Sequence, residues 1–132
     1  MISTKGRYAL RVMIDIAEQN TNNFIALKDI AERQGISKKY LEAIVKKLVD
    51  AKLLTAISGK NGGYKLSKPA SKYNLYEILK LTEGTLSPVA CVDNKNVKCQ
   101  RKNLCKTYPM WLELDNMISK YLKKRKLSEF LN

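Results

Sequence analysis

The chain has 132 residues, with 25 Lys and Arg against 12 Asp and Glu, a formal charge of +13, three cysteines and no histidine. That length suits one domain with a modest core, and a charge of that sign attracts polyanions and speeds encounter with them. The absence of histidine removes the commonest general base and counts against most hydrolytic enzymes. No run approaches the roughly 18 apolar residues of a membrane span, and Met1–Gly6 lacks the charged-then-apolar layout of a signal peptide, so no membrane partner is expected and the chain is expected to be cytoplasmic. An odd cysteine count in such a compartment argues against a disulfide framework.

In chain order, Tyr8, Leu10, Val12, Met13, Ile16 and Ala17 recur at helical spacing, which predicts a helix from Ser3 to about Gln19, capped by Ser3 or Thr4. Thr21-Asn22-Asn23 breaks the pattern, and Phe24-Ile25-Ala26 can form a short strand. A second helix is predicted over Leu27–Arg33, then a tight turn at Gln34-Gly35-Ile36, then a third helix from Lys38 to about Lys52 capped by Ser37. Two helices joined by a glycine-containing turn form a helix-turn-helix. Leu53–Ile57 and Tyr64–Leu66 are short β-prone runs around a glycine-rich tip, Ser58-Gly59-Lys60-Asn61-Gly62-Gly63, and together predict a wing. Asn74 can cap a short helix over Leu75–Thr82 closed by Gly84, and Pro109 suits the first turn of a last helix reaching about Leu127. The expected fold class is mainly α with a small β-hairpin wing: residues 1–84 a winged helix-turn-helix, 85–108 a cysteine-containing loop, and 109–132 a long C-terminal helix.

In the third helix, Leu41, Ile44, Val45 and Leu48 mark the core face. The opposite face carries Lys39, Ala43, Lys46 and Lys47, with Lys38, Tyr40 and Glu42 near its start. That end enters the major groove in helix-turn-helix proteins. There lysines reach phosphates or guanine edges, and Glu42 can accept from a cytosine amino group. Lys60 and Asn61 at the wing tip are candidates for backbone or minor-groove contacts. A solvated lysine face and an ordinary Asn-Gly turn are the plain alternatives.

Cys91, Cys99 and Cys105 stand in the order C-x7-C-x5-C within a polar stretch. Core cysteines sit in periodic apolar segments, and these do not. Lys98, Arg101, Lys102 and Lys106 favour thiolates nearby. Three thiolates suit an iron–sulfur cluster or zinc, and a fourth ligand would have to be Asp, Glu, Tyr, an exogenous molecule or a partner residue. A thiol redox switch, or thiols without a role, are the other readings.

With these pieces assembled, the chain resembles the iron–sulfur cluster regulator family of winged helix-turn-helix repressors, the IscR/NsrR/CymR-like regulators, over nearly its whole length. The resemblance rests on Ser3-Thr4-Lys5-Gly6-Arg7-Tyr8-Ala9-Leu10, Ile30–Ser37, Tyr40-Leu41-Glu42 and Gly59-Lys60-Asn61-Gly62-Gly63-Tyr64. It implies a non-enzymatic, DNA-binding homodimer on a double-stranded operator, expected to act as a repressor. Lys5, Arg7, Ser37, Lys38, Lys39, Tyr40, Glu42, Lys46, Lys60 and Asn61 are then the DNA-binding residues. It also implies that Trp111, Leu114, Ile118, Tyr121 and Leu122 face the partner subunit. Cys91, Cys99 and Cys105 would hold a cluster, 2Fe–2S preferred over 4Fe–4S, which senses iron–sulfur, redox or nitric-oxide status. The first cysteine gap is longer than the x5 of the best-known cluster regulators, and Tyr108 stands where IscR has a histidine ligand. Ser58 replaces an arginine common before the wing glycines. The CymR branch supplies the alternative: a cluster-free, thiol- or partner-controlled regulator of cysteine and sulfur metabolism.

Overall fold

A computed structural model of the chain describes residues 1–93, 101 and 103–131. Helix α1 spans Thr4–Glu18; the Ser3 hydroxyl accepts from the Gly6 N–H at 3.2 Å, so Ser3 and not Thr4 is its cap. Its buried side is Ala9, Val12, Met13 and Ile16, while Tyr8, Leu10 and Ala17 line the margin of the core. Helix α2 covers Leu27–Gln34 and stops at Gly35, whose φ of 65° suits a residue without Cβ. Helix α3 covers Lys38–Asp50, opened by Ser37, whose hydroxyl accepts the Tyr40 N–H at 3.1 Å.

The predicted end of α3 at Lys52 is two residues too long. Lys52 itself takes φ 64°, and the Leu53 N–H turns back to the Leu48 carbonyl at 2.9 Å. This left-handed closure uses a lysine where glycine is usual, so no sequence signal marked it. Strands β1 (Leu54–Ile57) and β2 (Gly63–Leu66) then pair antiparallel, Leu54 opposite Leu66 and Ile57 opposite Gly63. The strand expected at 24–26 is a single bridge, in which Ile25 and Tyr64 exchange N–H···O bonds of 2.7 and 2.8 Å. Wing glycines make that approach possible. A Cβ on Gly63 would lie 2.2 Å from the Ile25 carbonyl oxygen, and one on Gly62 would lie 2.4 Å from that of Ile57.

Helix α4 spans Leu75–Glu83, opened by a reciprocal cap between Asn74 and Glu77 and closed by Gly84. It is the main packing partner of α1. A Cβ on Gly6 would fall 2.3 Å from Glu83 Oε1, so the two helices lie close there. The Ser3 hydroxyl donates to the same oxygen at 2.6 Å.

Helix α5 spans Tyr108–Lys124, three residues short of the predicted Leu127. Arg125 is extended, Lys126 bridges to Asn74, and the Leu127 N–H donates to the Tyr73 carbonyl at 3.0 Å. Leu127 is thereby carried into the same core as Ala9, Ile30, Leu41 and Ile78. Tyr73 anchors this junction. Fully buried, it donates its hydroxyl to the Leu53 carbonyl at 2.6 Å and accepts from the Ser67 and Lys68 N–H groups. The phenol thus joins the end of α3 to the end of the wing, and the Tyr73 backbone carbonyl holds the return of the chain after α5.

Candidate nucleic-acid interface and thiol site

The basic face of α3 forms because its apolar positions are consumed by the core. Leu41, Ile44, Val45 and Leu48 are buried, leaving Lys38, Lys39, Tyr40, Glu42 and Lys46 exposed together with Ser37. On α1, Arg7 is exposed and donates to the Thr4 hydroxyl at 3.1 Å, and Lys5 is half-buried. The Tyr8 ring meets the Tyr40 ring edge-to-face with centroids 5.5 Å apart, which joins the first turns of α1 to the first turn of α3. Lys60 and Asn61 are exposed at the wing tip, and Asn61 holds φ 65°.

Behind the turn between α2 and α3 lies a polar group that the periodicity did not single out. Asp15, 2 % exposed, receives Arg33 through both Nε and Nη2, the shortest contact 2.8 Å, and Gln34 Nε2 at 2.8 Å. A buried carboxylate without such partners would cost several kcal/mol. The hydrogen bond from Arg33 to Asp15 holds that guanidinium more firmly protonated than usual, against the opposing effect of burial. An acidic residue at a core-facing position of an amphipathic helix was the available signal.

Cys91 sits half-buried in a one-turn 3-10 helix, Ala90–Val92, that packs against α5. Cys105, also half-buried, lies three residues before α5 begins, and Cys99 lies outside the described residues. Cys105 Sγ is 3.4 Å from Thr107 Oγ1, which accepts the Trp111 indole N–H at 3.2 Å. With its oxygen engaged by the indole, the Thr107 hydroxyl proton is free to point at sulfur. That hydrogen bond, then the Thr107 backbone N–H, lowers the Cys105 thiol from its ordinary value, with a further contribution from the charge of Arg101. Among the described residues no three Cys, Asp or Glu side chains converge as a metal site. The donor type suits soft-metal or cluster chemistry: one thiol stands in a turn packed against α5, and the other, biased towards thiolate, stands three residues before that helix.

Helix α5 buries no residue on its own chain. Trp111, Leu114, Ile118 and Leu122 are half-buried, whereas Tyr121 is 58 % exposed. Two residues the sequence reading passed over are as open: Met110 at 50 % and Met117 at 60 %. Met110, Leu114, Met117 and Tyr121 recur at i, i+4, i+7 and i+11, a stripe offset from the one read in the sequence. Beside it runs a groove of about 630 Å³ lined by Ile2, Leu79, Leu86, Pro88 and Ile118. Contiguous exposed apolar side chains of this kind are the usual material of interaction surfaces.

A helix-turn-helix with a glycine-rich wing, a basic face on its second helix and a long C-terminal helix with an apolar stripe defines a winged-helix transcriptional regulator. The chain belongs to the Rrf2 family: the family model, described as an iron-dependent transcriptional regulator, matches residues 2–132. The regulator IscR of Yersinia pseudotuberculosis is 34% identical over 131 residues, covering 99% of this chain and 79% of its own. Among solved structures, CymR, the global cysteine regulator of B. subtilis, superposes with a TM-score of 0.79 at 29% identity, covering 98% of this chain and 94% of that one. IscR of T. potens superposes with a TM-score of 0.73 at 29% identity, covering 98% and 84%. The chain is thus a DNA-binding transcriptional regulator and not an enzyme. Among the described residues no helix is long and apolar enough to cross a membrane.

Proposed function

We propose that this regulator is a homodimeric repressor that binds a double-stranded operator and holds an iron–sulfur cluster on Cys91, Cys99 and Cys105, 2Fe–2S rather than 4Fe–4S. The observation that carries the reading is the environment of Cys105, a thiol biased towards thiolate immediately before the apolar helix α5. A bound cluster would supply redox and ligand-exchange chemistry at that point. The chain's own residues do the rest. Lys38, Lys39, Tyr40, Glu42 and Lys46, with the Ser37 cap, present the reading end of α3, while Lys5, Arg7, Lys60 and Asn61 supply flanking contacts. Residues 1–84 bind DNA, 85–108 sense, and 109–132 dimerise through Trp111, Leu114, Met117, Ile118, Tyr121 and Leu122. Because the turn holding Cys91 packs against α5, whatever rearranges the cysteine segment bears on the dimer helix. Half-sites lie about one helical turn apart, ~34 Å, so a small change in protomer spacing alters affinity strongly.

Anaerobic purification followed by a visible spectrum and iron and sulfide analysis tests this reading. Coloured protein containing iron and sulfide, with colour lost in Cys99→Ala while the dimer persists, is the expected result. Colourless, iron-free protein that binds DNA sinks the cluster and leaves the second reading: control by the thiols or a partner protein. That reading is supported by Tyr108 standing three residues after Cys105, by the lack of histidine, and by the likeness to CymR.

A further inference from the structure

Arg11, which lies outside the reading face of α3, makes contacts to both sides of the turn that presents it. On one side its Nε donates to Gln34 Oε1 at 3.0 Å and its Nη2 donates to the Gln34 carbonyl, at the last residue of α2. A cation there also complements the negative end of that helix. On the other side the guanidinium carbon lies 5.3 Å over the Tyr8 ring, and Tyr8 meets Tyr40 of the first turn of α3. Gln34 is itself fixed by Asp15 at 2.8 Å. The arrangement is a clamp: the guanidinium lies over an aromatic face while its fork grips a helix end, and lysine has no such fork.

We propose that Arg11 is a positioning residue for sequence discrimination, acting through Tyr8 and Gln34 on the orientation of Tyr40 and the start of α3 instead of contacting DNA itself. The proposal rests on the reading of α3 as the helix that reads base edges. Phosphate contacts set sequence-independent affinity, and base-edge contacts set discrimination. Loosening the clamp therefore lowers discrimination and leaves non-specific binding in place.

The test begins with a preferred duplex selected by the full-length regulator from a random-sequence pool. Affinities for that duplex and for a random-sequence duplex are then measured across salt concentrations for the wild-type protein and for Arg11→Ala, with the thermal midpoint of each. The expected result for Arg11→Ala is a preferred-to-random ratio reduced about tenfold, the scale of one weakened base-edge contact. Random-duplex affinity and the salt slope should stay unchanged. A slope shallower by about 0.9 per protomer identifies Arg11 as a direct phosphate contact and overturns the proposal. An unchanged ratio overturns it as well. Should Arg11→Ala not fold, Arg11→Lys keeps the charge but not the fork and is expected to lose discrimination with the same slope; full discrimination in that variant refutes the clamp. If the wild-type protein itself selects no preferred duplex, it is the reading of α3 that fails.

Discussion

Replacing Tyr73 with Phe removes one oxygen atom and leaves the ring in place, which isolates what the phenol does at the junction of wing, α3 and the final segment. The hydroxyl satisfies the carbonyl of buried Leu53 at 2.6 Å and accepts from the N–H groups of Ser67 at 2.9 Å and Lys68 at 3.3 Å. Ser67 is exposed and Lys68 half-buried, so water replaces much of what their N–H groups lose. Leu53 is enclosed, and its carbonyl bears the full cost of an unpaired buried acceptor, about 1–3 kcal/mol. A loss of about 2 kcal/mol lowers the melting midpoint of a chain this size by about 8 °C. Urea unfolding and calorimetry on Tyr73→Phe and the wild-type protein at matched concentration measure both quantities. A loss below about 0.5 kcal/mol would refute the argument, because it would mean that the Leu53 carbonyl finds another partner.

The same residue carries a pH signature. Burial pushes the Tyr73 hydroxyl up from its ordinary 10.0, so the folded state holds that proton more tightly than the unfolded chain does. Its contribution is intact below about pH 10 and is lost as pH rises beyond it, so the alkaline decline in stability should be shallower in Tyr73→Phe.

Three further outcomes are expected. Leu127→Ala should cost about 2–5 kcal/mol by opening a cavity in the core, whereas Leu112→Ala on the exposed side of α5 should cost little; equal melting midpoints would place Leu127 outside the core. Thr107→Val removes the hydroxyl that lowers the Cys105 thiol, so in the metal-free protein alkylation of Cys105 by iodoacetamide at neutral pH should slow, and an unchanged rate across pH would count against that hydrogen bond. Met117→Glu puts a charge into the apolar stripe of α5 and should shift the mass seen by sedimentation to that of a single chain with unchanged helicity; an intact dimer would move the interface elsewhere.

Local chemistry explains which parts were readable in the sequence. The Ser3, Ser37 and Asn74 caps, the closing Gly84 and the apolar face of α3 act within a few residues of themselves, and each appears where its pattern placed it. The two late helix ends have a different cause. Lys52 takes a left-handed conformation that its own side chain does not favour, and α5 stops because Tyr73 and Asn74, some fifty residues earlier in the chain, capture Leu127 and Lys126. Periodicity cannot see a competing partner at that separation. The basic face of α3 was readable as the complement of the core face. Arg11 was not, because its partner Gln34 is 23 residues away. Thr107 and Trp111 stand one helical turn apart beside Cys105, a spacing that would have pointed to them.

Anyone wishing to redirect this regulator to a new operator by randomising its wing will find few positions open. Gly62 and Gly63 have carbonyl oxygens where a side chain would begin, and Gly59 holds φ 96°. Asn61 sits in the left-handed region, which favours Asn, Asp, His and Gly over other residues. Only Ser58 and Lys60 along the tip accept free choice, so a useful library there is two codons wide.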